Sequence, residues 1–371
     1  MRPTEARVAL GAIRKNVETL VDLAAPAAVC AVVKADGYGH GAVATARAAV
    51  DAGATWLAAA LVDEGIELRR AGLKVPILVL SEPRPKEMVE VVENTLTPTV
   101  YSGAGLAAAE AAARAGHRPD PLGVHLKVDT GMHRVGAAVD TVDRLAAAIL
   151  EKPSLRLDAV WTHCAVADEP DAAATDEQLD LFDDVVAKLR TAGHANFWTH
   201  AANSAVTLAH PRGRYEMVRC GIAMYGVAPS PALEGRVPLT AALSVVSEIA
   251  FLKTVKEGDR ISYGLRHEFE RDTVVATVPI GYADGVRRSY WRLGGDVLIR
   301  GRRRRVVGVV TMDQVMIDCG PDSDVAVGDE VVVMGLQQGD EIAAREIADK
   351  LGTISYEILC DVGRRVRRVY R

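Results

Sequence analysis

The stretch Val32-Val33-Lys34-Ala35-Asp36-Gly37-Tyr38-Gly39-His40-Gly41 decides how this chain reads. An apolar segment, Ala28 to Val33, ends at a lysine. A run rich in turn residues follows, and then an Ala-rich segment begins. That order predicts strand, tight loop, helix. Lys34 would then stand at the carboxyl end of a strand, where α/β barrels keep their active sites. The chain has 10 Lys against 34 Arg, so a lysine placed there calls for a chemical reason. Of the two cations, only lysine has an amine that readily loses its proton and attacks a carbonyl. The plainer alternative is a solvent-exposed lysine ending a strand.

Outward from this run, seven more short apolar segments alternate with Ala-rich ones. The eight strand candidates are AVCAVV, TWLAAA, VPILVL, TPTVYS, LGVHLKV, LDAVWTH, FWTHAA and MVRCGIAMYG, all between residues 28 and 226. Helical stretches such as GAVATARAAV, VDEGIELRRAG, GAGLAAAEAAARAG and DEQLDLFDDVVAKLRTAG separate most of them. Eight strands with connections of this size predict a (β/α)8 TIM-like barrel of the α/β class over residues 1–238. The first eight or so residues are candidates to pair elsewhere, and the seventh and eighth units are compressed. Pro229, Pro231 and Pro238 mark a linker.

After it the pattern changes. Gly258-Asp259, Gly328-Asp329, Gly339-Asp340 and Gly294-Gly295-Asp296 separate β-branched runs. Residues 239–371 therefore read as a mostly antiparallel β domain of hairpins, with one helix from Glu341 to Gly352.

Bulk properties narrow the function. Net charge is −5 and 49% of residues are apolar, giving a large core and no electrostatic reason to expect nucleic acid. Arg302 to Arg305 and the tail RRVRRVYR are interleaved with or followed by valines, which predicts strands with charged outward faces. The five cysteines, at 30, 164, 220, 319 and 360, form no CxxC pair, so neither a disulfide framework nor a metal site is expected. No signal peptide or transmembrane run is evident, so a cytoplasmic protein is expected.

Further segments carry chemistry. HAANS puts Asn203 and Ser204 directly after the seventh strand candidate, and VRCGIAMYG puts Gly221 and Ile222 in the eighth. Loops after these strands are where barrels bind phosphate, and glycine lets backbone N–H groups approach an anion. Taken alone, HAANS could simply cap a helix. Arg219 lies two residues before Gly221, on the same strand face by alternation. HLKVDTGMHRVG contains Lys127 and Arg134, two cations that would repel each other unless neutralised. His163 ends the sixth strand candidate. The second domain holds Tyr263 in ISYG, Tyr282 in IGYADG, Met312 and Asp313 in TMDQ, and Tyr356 in ISYE. Each tyrosine could also be a core ring.

Together these segments resemble the bacterial alanine racemases, a pyridoxal-phosphate (PLP) family, from about residue 4 to the end. The resemblance implies interconversion of L- and D-alanine, supplying D-alanine for peptidoglycan. It implies that Lys34 binds the cofactor and is one base, with Tyr263 the second base on the opposite face, lent by the partner in a homodimer. Tyr38, Asn203, Ser204, Gly221, Ile222 and Tyr356 would hold the cofactor. Arg219 would face the pyridine nitrogen, backed by His163, and a guanidinium that keeps its proton would leave that nitrogen largely unprotonated. Arg134 would bond the cofactor's phenolic oxygen and the substrate carboxylate, oriented by a carbamylated Lys127. Tyr282, Met312 and Asp313 would line the substrate's path or bind its carboxylate. Thr311 and Leu265-Arg266-His267 depart from the usual family pattern, which bears on substrate access. Three rivals remain: a serine or broad-specificity racemase of the same fold, a barrel decarboxylase, and a non-catalytic PLP-binding homeostasis protein. Decarboxylases need an acidic partner at the pyridine nitrogen, against Arg219. The homeostasis proteins are single barrels, against the second domain.

Overall fold

The computed structural model describes residues 2–116, 119–194, 196–321 and 323–371. The chain divides into two compact units. One comprises Gly11–Gly37 and Ala42–Thr240; the other comprises Met1–Leu10, Tyr38–Gly41 and Ala241–Arg371.

The first unit is a parallel barrel. β1 (Glu5–Val8) belongs to the second unit; the barrel strands are β2 (Ala28–Val32), β3 (Trp56–Ala59), β4 (Ile77–Val79), β5 (Thr97–Val100), β6 (Leu122–Lys127), β7 (Leu155–Trp161), β8 (Trp198–His200) and β9 (Met217–Cys220). Each falls inside one of the eight apolar runs except β7, which starts at Leu155, two residues ahead of LDAVWTH. Their order is β8-β7-β6-β5-β4-β3-β2-β9, with every pairing parallel. The β8 and β9 segments approach through Glu216 N–H to Thr199 O (3.2 Å) and Arg219 N–H to Ala202 O (2.9 Å), which brings the sheet round on itself. These runs are apolar throughout because strand residues on one side meet the helices and on the other fill the barrel.

Helices link the strands as the Ala-rich segments predict: Ala42–Asp51, Val62–Arg70, Met88–Glu93, Gly103–Ala115, Val142–Leu150 and Ala173–Thr191. The compressed seventh unit has only a six-residue helix, Ser204–Ala209. The last strand is followed by a 3-10 turn, Ile222–Tyr225, in place of a helix. A helix ahead of the first strand, Leu10–Ala24, meets this closing segment: buried Asn16 donates to Met224 O (3.2 Å) and Thr240 O (2.8 Å) and accepts from Thr240 N–H (2.9 Å).

The second unit is a mixed but mainly antiparallel sheet. Its strands are β1, β10 (Leu243–Glu248), β11 (Phe251–Val255), β12 (Arg260–Ile261), β13 (His267–Glu268), β14 (Thr273–Val278), β15 (Asp296–Ile299), β16 (Arg302–Val307), β17 (Val315–Gly320), β18 (Glu330–Gln337), β19 (Asp340–Ile342) and β20 (Arg367–Tyr370). The main order is β11-β14-β17-β16-β15-β18-β10-β1-β20, and only β1 with β20 is parallel. The arginine-rich segments are strands β16 and β20. Their side chains are paired within the unit: Arg303 with Asp340 and Glu346, Arg305 with Asp296, Arg367 with Glu5.

One boundary differs from expectation. The helix anticipated from Glu341 begins at Ala344, because Asp340–Ile342 pairs with Gly335–Gln337 to close a hairpin first. Its stop is as read: Gly352 takes a left-handed φ of +68°.

Candidate active site

Lys34 follows β2 directly. Val33 N–H still reaches Ala58 O (2.9 Å), so the ladder ends one residue before the lysine. The next residues make one turn of left-handed helix: φ,ψ is 52°,51° at Ala35, 51°,47° at Asp36 and 61°,44° at Gly37, and φ is 52° at Tyr38. For the three residues that carry a Cβ this conformation costs on the order of 1 kcal/mol each. Side chains hold it in place. Glu64 accepts from Ala35 N–H (2.7 Å) and, with its other oxygen, from Ala60 N–H (2.8 Å); Asp36 accepts from Ala42 N–H (2.9 Å). At Gly37 a Cβ would lie 2.7 Å from Thr45 Oγ1. The strand therefore ends in a fixed corner with Lys34 at its start.

On the neighbouring strand, Arg219 pairs in register with Cys30 and is 3% exposed. Its Nη2 donates to Thr162 O (2.9 Å) and Ala201 O (2.9 Å) and lies 3.3 Å from His163 Nδ1; its Nη1 donates to His200 Nδ1 (2.7 Å). Nε takes part in none of these bonds. Because arginine can only donate, His200 carries its proton on Nε2, which lies 3.2 Å from His125 Nδ1 and donates there. Two neutral imidazoles, His200 and His125, thus line up behind the charged Arg219. Burial, followed by the charge on Arg219, depresses His125 to about 3 and holds His163 and His200 well below the usual histidine value. Burial also lowers Arg219, to about 10.

The reading of His163 as the histidine behind Arg219 omitted His200, which makes the shorter bond. A signal existed: Trp161-Thr162-His163 and Trp198-Thr199-His200 repeat one tripeptide at the ends of adjacent strands. Trp161 ties the group together. It stacks on His200 (14° between planes), with Lys127 Nζ 4.3 Å and Arg219 Cζ 4.6 Å from its ring centre.

Lys127 ends β6 and is 4% exposed. Burial, then Arg219 and Arg134, push its ammonium down to about 7. Among the described residues no carboxylate forms a salt bridge with it. Lys34 is close enough to act electrostatically on both Lys127 and His163. Arg134 lies in the exposed loop beyond β6, which Ala137 N–H to Lys127 O (2.8 Å) and Asp129, accepting from Gly131 N–H and His133 N–H (3.0 Å each), keep in shape.

The HAANS and CGIA segments meet. Asn203 caps the helix Ser204–Ala209 by accepting from Val206 N–H (2.9 Å), and buried Ser204 Oγ accepts from Gly221 N–H (2.9 Å) and Ala223 N–H (3.3 Å). Both the capping role and the joint placement of the two segments are present.

In the β unit, Tyr38 is buried and its ring centre is 6.1 Å from that of Tyr356; burial raises its phenol well above the usual value. Tyr263 opens a 3-10 turn after Ser262 (φ 66°) and is 69% exposed, beside Leu265 at 57%. Tyr282 and Met312 are also exposed, on two loops joined by Tyr282 N–H to Thr311 O (3.0 Å) and Ala283 N–H to Met312 O (3.1 Å). Asp313 is bonded by Arg365 (2.6 Å). Thr311 Oγ1 donates to Gln314 O (2.9 Å), so the unusual threonine supports the turn. Each unit thus assembles its own share of the expected residues: Lys34, Lys127, Arg134, His163, Asn203, Ser204, Arg219, Gly221 and Ile222 in the barrel, and Tyr38, Tyr263, Tyr282, Met312, Asp313 and Tyr356 in the β unit.

Among the described residues no group of three or more His, Cys, Asp or Glu could hold a metal ion, and no helix is long and apolar enough to cross a membrane. The profile of the alanine racemase N-terminal domain matches residues 8–229, and that of the C-terminal domain residues 242–370. An alanine racemase of Symbiobacterium thermophilum is 45% identical over 100% of this chain and 97% of its own length. The crystal structure of alanine racemase from E. faecalis superposes with a TM-score of 0.93 at 38% identity, covering 100% of this chain and 98% of that one. That from Bacillus anthracis with bound L-Ala-P gives 0.93 at 36% identity, covering 100% and 95%. With both domains matched and full-length identity of this order, the chain belongs to the alanine racemase family.

Proposed function

We propose that this chain is a PLP-dependent alanine racemase that interconverts L- and D-alanine by two bases, supplying D-alanine for peptidoglycan. One observation carries the cofactor part of the reading: a buried guanidinium, Arg219, fixed through its terminal nitrogens on the strand beside Lys34, with Nε left over from those bonds. That donor suits a ring nitrogen that stays unprotonated, and a lysine at the next strand end suits an aldehyde. Ser204 with the Gly221–Ala223 backbone, capped by Asn203, is a fitting cradle for a phosphate, joined in this reading by Tyr38, Ile222 and Tyr356.

The bound cofactor would withdraw charge from the substrate Cα and so acidify its proton. The rest falls to the chain. Lys34 would hold the aldehyde and then take or give the Cα proton on the D face. Tyr263 would do so on the L face, since one base cannot readily serve both sides of a planar carbon. The neutral His200 and His125 rings would hold the charged Arg219 in orientation without adding charge of their own. Lys127, whose ammonium is depressed to about 7, would offer at neutral pH a substantial share of the free amine that carbon dioxide adds to. The resulting carbamate would remove the repulsion with Arg134 and orient it toward substrate. Tyr282, Met312 and Asp313 would serve the substrate carboxylate or its path. The exposure of Tyr263 (69%) and Leu265 (57%) supports a second copy covering this loop in a cytoplasmic homodimer.

Purified protein with PLP, incubated with L-alanine or L-serine in deuterated water, tests the reading. Deuterium at Cα together with the D-enantiomer is the expected result, faster with alanine. Carbon dioxide release or an unchanged Cα would refute it, and a preference for serine would shift the substrate.

A further inference from the structure

The second residue of the chain is built into loops nearly 300 positions away. Arg2 Nε donates to Pro279 O (2.8 Å), its Nη1 and Nη2 grip both oxygens of Asp284 (2.8 and 2.6 Å), and Nη2 reaches Asp313 O (3.2 Å). The Asp284 side chain is 0% exposed. It also accepts from Gly281 N–H (2.9 Å) and pairs with Arg365 Nε (3.3 Å). Arg365 in turn binds the Asp313 carboxylate (2.6 Å). One buried carboxylate and two arginines from the chain ends thus span the Pro279–Gly285 turn, which carries Tyr282, and the Thr311–Gln314 loop, which carries Met312.

The two loops interlock tightly. A Cβ on Gly281 would lie 2.4 Å from both Thr311 O and Met312 O, so the backbones are in direct contact. Direct backbone contact fixes the loops to each other, and the arginine fork ties both to the segment ahead of β1, beside Thr4 Oγ1, which also donates to Pro279 O (2.7 Å). A bidentate arginine resists rotation where a point charge would not. A buried carboxylate deprived of that fork would shift toward Arg365, its other arginine partner.

We propose that Arg2, acting through Asp284, is a positioning residue that sets how well the Tyr282 and Met312 loops receive the substrate carboxylate. The inference rests on the proposed placement of Tyr282 and Met312 at the substrate. Because those loops bind rather than move protons, the effect falls on KM and leaves kcat nearly intact.

The test uses the holoenzyme with Arg2→Met, Arg2→Lys and Tyr282→Ala. Measured are KM and kcat in both directions, inhibition by propionate as a carboxylate probe, and amide hydrogen exchange over residues 280–286 and 310–315. Arg2→Met is expected to raise KM and the propionate Ki together by about tenfold, the size of a lost charged hydrogen bond. Exchange should quicken in both segments at once. Arg2→Lys, which keeps charge without the fork, should fall between Arg2→Met and wild type. Unchanged exchange in either segment overturns the proposal, as does quickened exchange with KM and Ki at wild-type values while Tyr282→Ala raises both. If Tyr282→Ala leaves KM and Ki unaltered, the placement of Tyr282 at the substrate has failed, and the positioning role falls with it.

Discussion

Acid should unfold this protein through its histidines before its carboxylates titrate. In the native chain of bonds, Arg219 donates to His200 and His200 donates to His125, so a proton added to either ring would set two donors against each other. His200 is 0% and His125 2% exposed, and both are held well below the ordinary value of 6.5 by burial first and Arg219 second. The unfolded chain takes up these protons near pH 6.5; the native chain does not. Folded-state values below the unfolded one mean that the stability is fully present above about pH 6.5 and is lost as pH falls toward the folded values. At pH 5.5, one unit below, each ring costs on the order of 1 kcal/mol, so the pair removes a few kcal/mol. His163 adds in the same direction. Carboxylates whose values are lowered, such as Glu5 and Asp129, act only nearer their ordinary range around pH 4, leaving pH 5–6.5 to the histidines. Urea melts of the cofactor-free chain at pH 7.5, 6.5 and 5.5 would measure the loss, and calorimetry in buffers of different ionisation heat would count protons. Uptake of about two or more protons on unfolding at pH 5.5 is expected, falling by about one in His125→Gln. Stability that is flat from pH 7.5 to 5.5, or uptake below about one proton, would refute the argument that His200 and His125 are held neutral.

Other outcomes can be checked directly. Borohydride treatment of the PLP-loaded protein should fix the cofactor on a peptide containing Lys34, and Lys34→Ala should lose both the link and nearly all racemisation; label on another lysine would exclude the assignment. Arg219→Glu should produce a long-wavelength absorbance band with alanine while racemisation falls, and an unaltered spectrum would mean Arg219 does not face the ring. Tyr263→Phe should block exchange with L-alanine more than with D-alanine. Mixing Tyr263→Phe with Lys34→Ala subunits should restore some activity, because a heterodimer would hold one intact site; no rescue after confirmed subunit exchange would exclude shared sites. Gly281→Ala should cost on the order of 2 kcal/mol or more, read by thermal denaturation, because its Cβ would meet two carbonyl oxygens at 2.4 Å.

The barrel was legible because a buried parallel strand must be apolar on both sides, so eight apolar runs between Ala-rich segments leave little choice of fold. Lys34 was legible for a related reason: a lysine directly after such a run can only stand at a strand end. The placement of Ser204 and Gly221 at the last two barrel strands followed from the order of the apolar runs, and the helix stop at Gly352 from its freedom at positive φ. Local pattern also placed the arginine-rich segments in strands, although their acidic partners could not be named.

Tertiary structure decided the rest. The sequence offered nine histidines and no means to rank His200 above His163, because a hydrogen bond to Arg219 depends on which strands become neighbours. It could not show that Ala35, Asp36 and Tyr38 share a left-handed turn, since tertiary contacts such as those of Glu64 help offset that strain. The helix start at Ala344 was set by the pairing of Asp340–Ile342 with β18, a contact that overrides helical propensity. Arg2 was the least legible of all. An arginine next to the start of a chain reads as solvated, and only folding, which brings Pro279, Asp284 and Asp313 around it, gives its five donors something to hold.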